Sequence, residues 1–290
     1  MGEGRLIPKS ALIAGFVPPA GRSFLRRLVW LFLPIYTNRR LIWQLALHEL
    51  RARYAGTSVG VLWAFVHPFI MIAAFWFVST RGLRVSFEQG PPYFLFLFCG
   101  FVPWMAFSDA ITGGTSAVLN HKYLVSKIAF PLEILPVVSA VASVIVHFVL
   151  LAILIVILLV SGVTPTVHFL QVPLFLAGLV AFSIGLSWTL GALNVFQRDV
   201  GQTVNAFLTV WFWMTPILWP TTGTSPWTLR ILKLNPMYYV VEGYRDALLH
   251  ARPLGVAWRV DLYFWLLTAL VVLSGAIVFR RLKPHFAEFL

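Results

Sequence analysis

Five ionisable residues lie in or against the long apolar runs of this 290-residue chain: His67, Asp109 and His147 inside them, Glu133 and His168 near their ends. Ionisable groups in hydrocarbon are costly, and they signal chemistry when several converge. The surroundings here point to weaker roles. His67 precedes Pro68, whose ring frees a backbone carbonyl that an imidazole can satisfy. Asp109 has Ser108 and Thr112 beside it, which favours local hydrogen bonding over acid–base work. His147 stands among Val, Phe and Leu. No HxxxH or CxxC spacing occurs, so no metal site is expected, and no GxSxG elbow offers a nucleophile. The dipeptide Gly-Lys is missing from the sequence. That removes the GxxxxGK[ST] cradle for nucleotide phosphates, so this chain cannot power itself through a P-loop. An intramembrane glycosyl- or acyl-transferase stays open as an alternative, resting on Asp109 and His67.

The elements that carry these residues belong to a membrane. Of the residues 59% are hydrophobic and 11% charged, whereas soluble domains carry about 25% charged residues. The apolar runs are continuous rather than alternating, which selects helices over a barrel. Six spans are expected, at 61–80, 93–111, 134–160, 169–193, 203–219 and 262–279. The third exceeds what a bilayer needs and is expected to tilt or to project beyond the headgroups. Net charge is +12, but the Lys and Arg flank apolar runs, where they set topology, so nucleic acid is not an expected partner. Nine cations precede Val61. With the N-terminus inside, Lys122, Lys127, Arg198, Arg280, Arg281 and Lys283 join them and outnumber those on the outer segments. Both termini are therefore expected in the cytoplasm. Residues 1–37 form an N-terminal extension without a cleavable signal pattern, and Cys99, the only cysteine, is a packing residue.

Three connecting segments are patterned. Residues 38–60 begin with a basic helix over 38–54, in which Trp43, Leu47, Leu50 and Tyr54 form an apolar stripe suited to the lipid interface. Between the fifth and sixth spans, 220–261, Asn235 and Pro236 read as a helix N-cap and first turn. Met237, Val240, Val241, Tyr244 and Leu248 follow at helical spacing, with Glu242, Arg245 and Asp246 opposite. A helix over 236–249 would be about 21 Å long, too short to span, and is read as re-entrant or surface-lying; it either lines a mouth or caps it. In the inner loop 120–131, NHKYLVSKIAFP, Asn120 is expected to cap a short helix with Leu124 and Ile128 on one face and Lys127 beside it, ended by Pro131. Aromatics crowd the first span (Trp63, Phe65, Phe69, Phe75, Trp76, Phe77) and the fifth (Phe207, Trp211, Phe212, Trp213, Trp219). Ring faces suit the C–H faces of sugars; lining and packing are equally open for Trp211 and Trp213.

Four stretches resemble the permease subunits of ABC type 2 exporters, in particular those of polysaccharide such as O-antigen: LHELRARYAGTSVGVLWAFVHP, NHKYLVSKIAFPLE, NVFQRDVGQTVNAFLTVWFWMTPILWP and LNPMYYVVEGYRDALL. The likeness covers about 41–281; the family pattern usually has Asp where Glu49 stands here. It implies an all-α polytopic fold in the bacterial inner membrane and a homodimer served by two cytoplasmic ATPase subunits. Those subunits bind ATP and Mg, so this chain needs no cofactor, and the cargo is a lipid-linked polysaccharide. It further implies that 120–130 (Asn120, His121, Lys122, Tyr123, Leu124, Lys127, Ile128) is a coupling helix, with Arg198 and Asp199 near the same interface. Segment 227–249 would form gate helices, bearing Asn235, Pro236, Tyr238, Tyr239, Tyr244 and Arg245. Trp63, Phe69, Phe75, Trp76, Phe207, Trp211 and Trp213 would line the path. Teichoic acid, capsule or a small hydrophobic drug is the alternative cargo. A reporter fused after Leu290 is expected on the cytoplasmic side; its appearance outside would invert this topology.

Overall fold

The computed structural model describes residues 33–82, 92–125 and 130–290, and these are all-helical, without a strand among them. Helix α1 is Arg39–Arg53, α2 Trp63–Phe77, α3 Tyr93–Asn120, α4 Lys122–Val125, α5 Leu135–Val160, α6 Val172–Phe196 and α7 Asp199–Met214. Helix α8 is Pro226–Leu232, α9 Pro236–Arg245, α10 Trp258–Leu282 and α11 Phe286–Phe289. With their flanking turns, α2, α3, α5, α6 and α10 are long and apolar enough to cross a membrane, giving five candidate spans among the described residues.

Helix α3 is the axis. Its most apolar window is 78% buried, against 17% for the span Gly60–Gly82, so α2 leans on the outside of a bundle that α3 organises with α5 and α6. Close approach here depends on small residues, as expected where lipid supplies no hydrophobic drive between helices. Gly114 of α3 lies against Ser187 of α6, and a Cβ on Gly191 would come within 2.8 Å of the Gly114 carbonyl oxygen. On the other face of α6, a Cβ on Gly185 would fall 2.8 Å from the backbone N and Cα of Val272 in α10, while Gly275 meets the Gly185 carbonyl in return.

The structure revises several expectations. Helix α3 continues to Asn120 rather than stopping near 111: Gly113 and Gly114 do not end it, because Gly114 packs against Ser187 of α6 and Ala117 and Val118 stay buried beyond them. Asn120 therefore ends a long helix instead of capping a short one, and the short helix α4 starts after His121. In α1 the buried stripe is Ile42, Ala46 and Leu50, whereas Trp43 is 53% exposed. Ala46 lets the backbone approach α5, leaving the Trp on the open side of α1. The expected fifth span is the 16-residue helix α7, about 24 Å long and short of a hydrocarbon core of about 30 Å. It stops because Thr215 precedes Pro216 and takes an extended conformation (φ −93°, ψ 132°).

Gly185→Leu is expected to destabilise the fold by more than about 1–3 kcal/mol, since the side chain would meet backbone that cannot step aside. Thermal unfolding in detergent measures this; a wild-type midpoint would mean that α6 and α10 are farther apart than described.

Candidate functional site

At the end of the bundle opposite α1, the chain between α7 and α9 is tied down by two groups of polar contacts. The Asn235 side chain accepts from the Met237 N–H (3.0 Å), as an N-cap does, and also from Trp211 Nε1 (2.7 Å). Its Nδ2 donates to Thr215 Oγ1 (2.9 Å), whose hydroxyl donates to the Trp211 carbonyl (2.8 Å). Trp211, Asn235 and Thr215 thus close a ring of hydrogen bonds joining α7 to α9. Trp211 also packs on Phe107 and Phe182. It is a fastener between elements.

The apolar face expected on 236–249 is present: Met237, Val240, Val241, Tyr244 and Leu248 are all buried. Arg245, expected on the polar side, is the correction. It is wholly buried. Its Nη1 donates to the Pro216 carbonyl (2.6 Å) and pairs with Glu242 Oε1 (2.6 Å), Nη2 donates to the Ile217 carbonyl (2.9 Å), and Nε to the Phe96 carbonyl (3.3 Å). The guanidinium lies 3.4 Å from the centre of the Phe96 ring. The helical wheel misassigned it because the broken backbone after α7 creates polar demand on the inward side. Beside it, Tyr244 and His147 Nε2 are 2.9 Å apart, and His147 Nδ1 is 3.4 Å from the Val102 carbonyl. With Nδ1 donating to that carbonyl, Nε2 accepts from the phenol, so His147 is a satisfied strut between α5, α3 and α9. Tyr239 stacks on Phe264 (4.2 Å). Burial, with Glu242 and Asp246 nearby, pushes the Tyr238 phenol up to about 12.

The aromatic set divides by neighbour. Phe69 packs edge-on to Phe98, Trp76 to Phe94, and Phe75 on Phe101, Phe212 and Trp213. Phe75 thus touches α7 from α2. Trp63, Trp76, Phe207 and Trp213 are exposed. Helix α7 buries only Val204 and Leu208. The rest of its surface mixes Phe207, Val210 and Trp213 with exposed Gln202, Asn205 and Thr209; Thr112 of α3 reaches Asn205 Oδ1 at 3.3 Å.

Near α1, Glu49 accepts from Ser139 (3.0 and 3.1 Å) and from Arg53 (3.2 Å), and Arg53 reaches Asp109 at 3.5 Å. Asp109 therefore joins an inter-helix network, where the sequence suggested only local bonds. With His67, Ser108, Tyr54 and His147 it lines a cavity of about 490 Å³. Of the coupling set, Lys122 and Tyr123 are exposed while Leu124 is buried in this chain's own core; Lys127 and Ile128 lie outside the described residues. Arg198 and Asp199 are exposed at the start of α7. Asn194, which no sequence signal marked, donates to the Thr115 carbonyl (3.0 Å) and accepts from the Gly201 N–H (3.0 Å), holding that turn. No group of three or more metal-ligating side chains occurs among the described residues.

Arg245→Met is expected to cost about 3–5 kcal/mol, since Glu242 and three carbonyls lose their donor. Arg245→Lys would not restore it, because one ammonium cannot reproduce the fork. Unfolding midpoints of both variants in detergent measure this, and a stable Lys variant would contradict the contacts described.

The sequence model for the ABC-2 type transporter family matches residues 40–249. The chain is 33% identical over 214 residues to the O-antigen export system permease protein RfbA of Myxococcus xanthus, covering 73% of this chain and 81% of that protein. It is 28% identical over 243 residues to a protein of the same name from Klebsiella pneumoniae, covering 83% and 92%. A short helix after α3, an Asn-capped helix after α7 and five helices of membrane-crossing length are thus joined to a family match over most of the chain: it belongs to the ABC-2 type transporters, as a membrane subunit.

Proposed function

We propose that this protein is the channel-forming subunit of an ATP-driven exporter that moves a lipid-linked polysaccharide of the O-antigen type across the bacterial inner membrane. The observation that carries the reading is the outer surface of α7. Exposed Gln202, Asn205 and Thr209 share that helix with exposed Phe207 and Trp213, a mixture ill suited to lipid but suited to a wet path on which sugar rings slide over aromatic faces. Two copies facing each other through α2 and α7 would enclose such a path as a homodimer. Helix α7 with the extended stretch from Thr215 is then the sixth crossing, and both termini lie in the cytoplasm. Its irregular end is tolerable because irregular backbone at membrane depth is permitted when buried in protein with its polar groups paired. Helices α8 and α9 form the re-entrant outer gate. The relatives named as O-antigen export permeases support the choice of cargo.

Two separate ATPase subunits carry ATP and Mg and dock on Lys122, Tyr123, Arg198 and Asp199. Leu124 is not part of that contact, since its side chain is used inside this subunit.

Trp213→Ala with Phe207→Ala is expected to lower glycan export about tenfold with the dimer and fold intact, a loss of about 1.4 kcal/mol in transport. Lys122→Asp with Tyr123→Ala is expected to release the ATPase while the subunit stays folded. Export assays and co-purification test these outcomes. Nucleotide or substrate turnover by the isolated subunit, or lost drug resistance with surface glycans intact on deletion, would refute the proposal.

A further inference from the structure

The last helical turns of the chain lie beyond the region that matches the family, which ends at residue 249, and they touch both loops assigned above to the ATPase. Helix α10 ends at Leu282; a tight turn, Lys283–His285, with Pro284 inside it, folds the chain back before α11. Lys283 Nζ donates to both oxygens of Glu133, at 2.9 and 2.8 Å. Glu133 stands two residues after Pro131, where the first loop returns to the bundle, and its backbone carbonyl accepts from Trp188 Nε1 of α6 at 2.9 Å. Arg280, one turn earlier, acts electrostatically on the same carboxylate.

Phe286 is wholly buried and packs edge-on to Phe279 of α10 (5.4 Å) and Phe196 (6.0 Å); Phe289 meets Phe196 at 4.7 Å. Phe196 is the last residue of α6, two before Arg198. The same core cluster contains Leu124 of the docking helix and Leu132 of the loop's far end. An ion pair thus grips one loop and a ring cluster the other, both from one seven-residue stretch, 283–289, directly after α10.

We propose that Lys283 and Phe286 form a positioning clamp that fixes the two ATPase-facing loops to α10, so that they move together. This rests on the docking reading above for its meaning, but the clamp has its own readout. Hydrogen exchange of the full chain in nanodiscs follows amides at 121–125, 130–135 and 196–201. Lys283→Met and Phe286→Ala are each expected to speed exchange in both loops about fivefold, the scale of losing one partly buried contact, and Lys283→Arg is expected to retain wild-type rates. Lys283 is partly exposed, so its variants test the clamp even if Phe286→Ala fails to fold. Unchanged exchange, a change in one loop only, or equal behaviour of the Arg and Met variants would overturn it.

In the complete exporter, Lys283→Met is expected to keep its ATPase bound while export per ATP hydrolysed falls; unchanged export per ATP would overturn the clamp's role in coupling. Failure of the wild-type chain to hold any ATPase would instead defeat the docking reading, with exchange still deciding the clamp.

Discussion

A membrane protein that interrupts a helix below full span length must find partners for the carbonyls it releases. Here α7 breaks at Thr215 and Pro216, and a single side chain, Arg245, answers the carbonyls of Pro216 and Ile217 together with that of Phe96 in α3. Much else follows from this debt. Gly100 must be glycine, because a Cβ there would sit 2.8 Å from Arg245 Nη2. Glu242 balances the charge one turn back. The neighbouring Tyr244 must face inward too, where it meets His147. A planar fork with several donors suits this work, since it can address divergent oxygens at once.

Around that anchor the bundle separates into parts of different firmness. Helices α3, α5, α6 and α10 are pressed together through glycines and hydroxyl residues, with polar crosslinks at Asn194 and Trp188. Helices α2 and α7 bury little of themselves. They meet α3 along aromatic edges, contacts that tolerate sliding better than backbone-to-backbone contacts, where interiors transmit strain. The part of the subunit that buries least of itself is thus also the part that carries the exposed polar and aromatic surface.

What the sequence disclosed depended on how local each signal was. The N-cap of Asn235 and the stripe from Met237 to Leu248 were readable because capping and helical periodicity act over a few residues. The five longest apolar runs were readable for the same reason. The end of α3 was not, because nothing local marks a helix that simply continues through Gly113 and Gly114. Arg245 was misread by its wheel position, since the demand for it arises 29 residues earlier in sequence, at Pro216. Asp109 was assigned local partners when Arg53, 56 residues away, reaches it. The favoured face of α1 turned on Ala46, whose smallness matters only once α5 lies beside it. Long-range pairing of polar groups is where a single sequence is most opaque.

The amide of Asn235 holds three partners, and reversing its O and N would set its NH2 against the N–H donors of Trp211 and Met237 and forfeit both of those bonds together. Such a junction does not yield by degrees. A tilt of α7 is therefore carried into the first turn of α9 for as long as these three bonds hold.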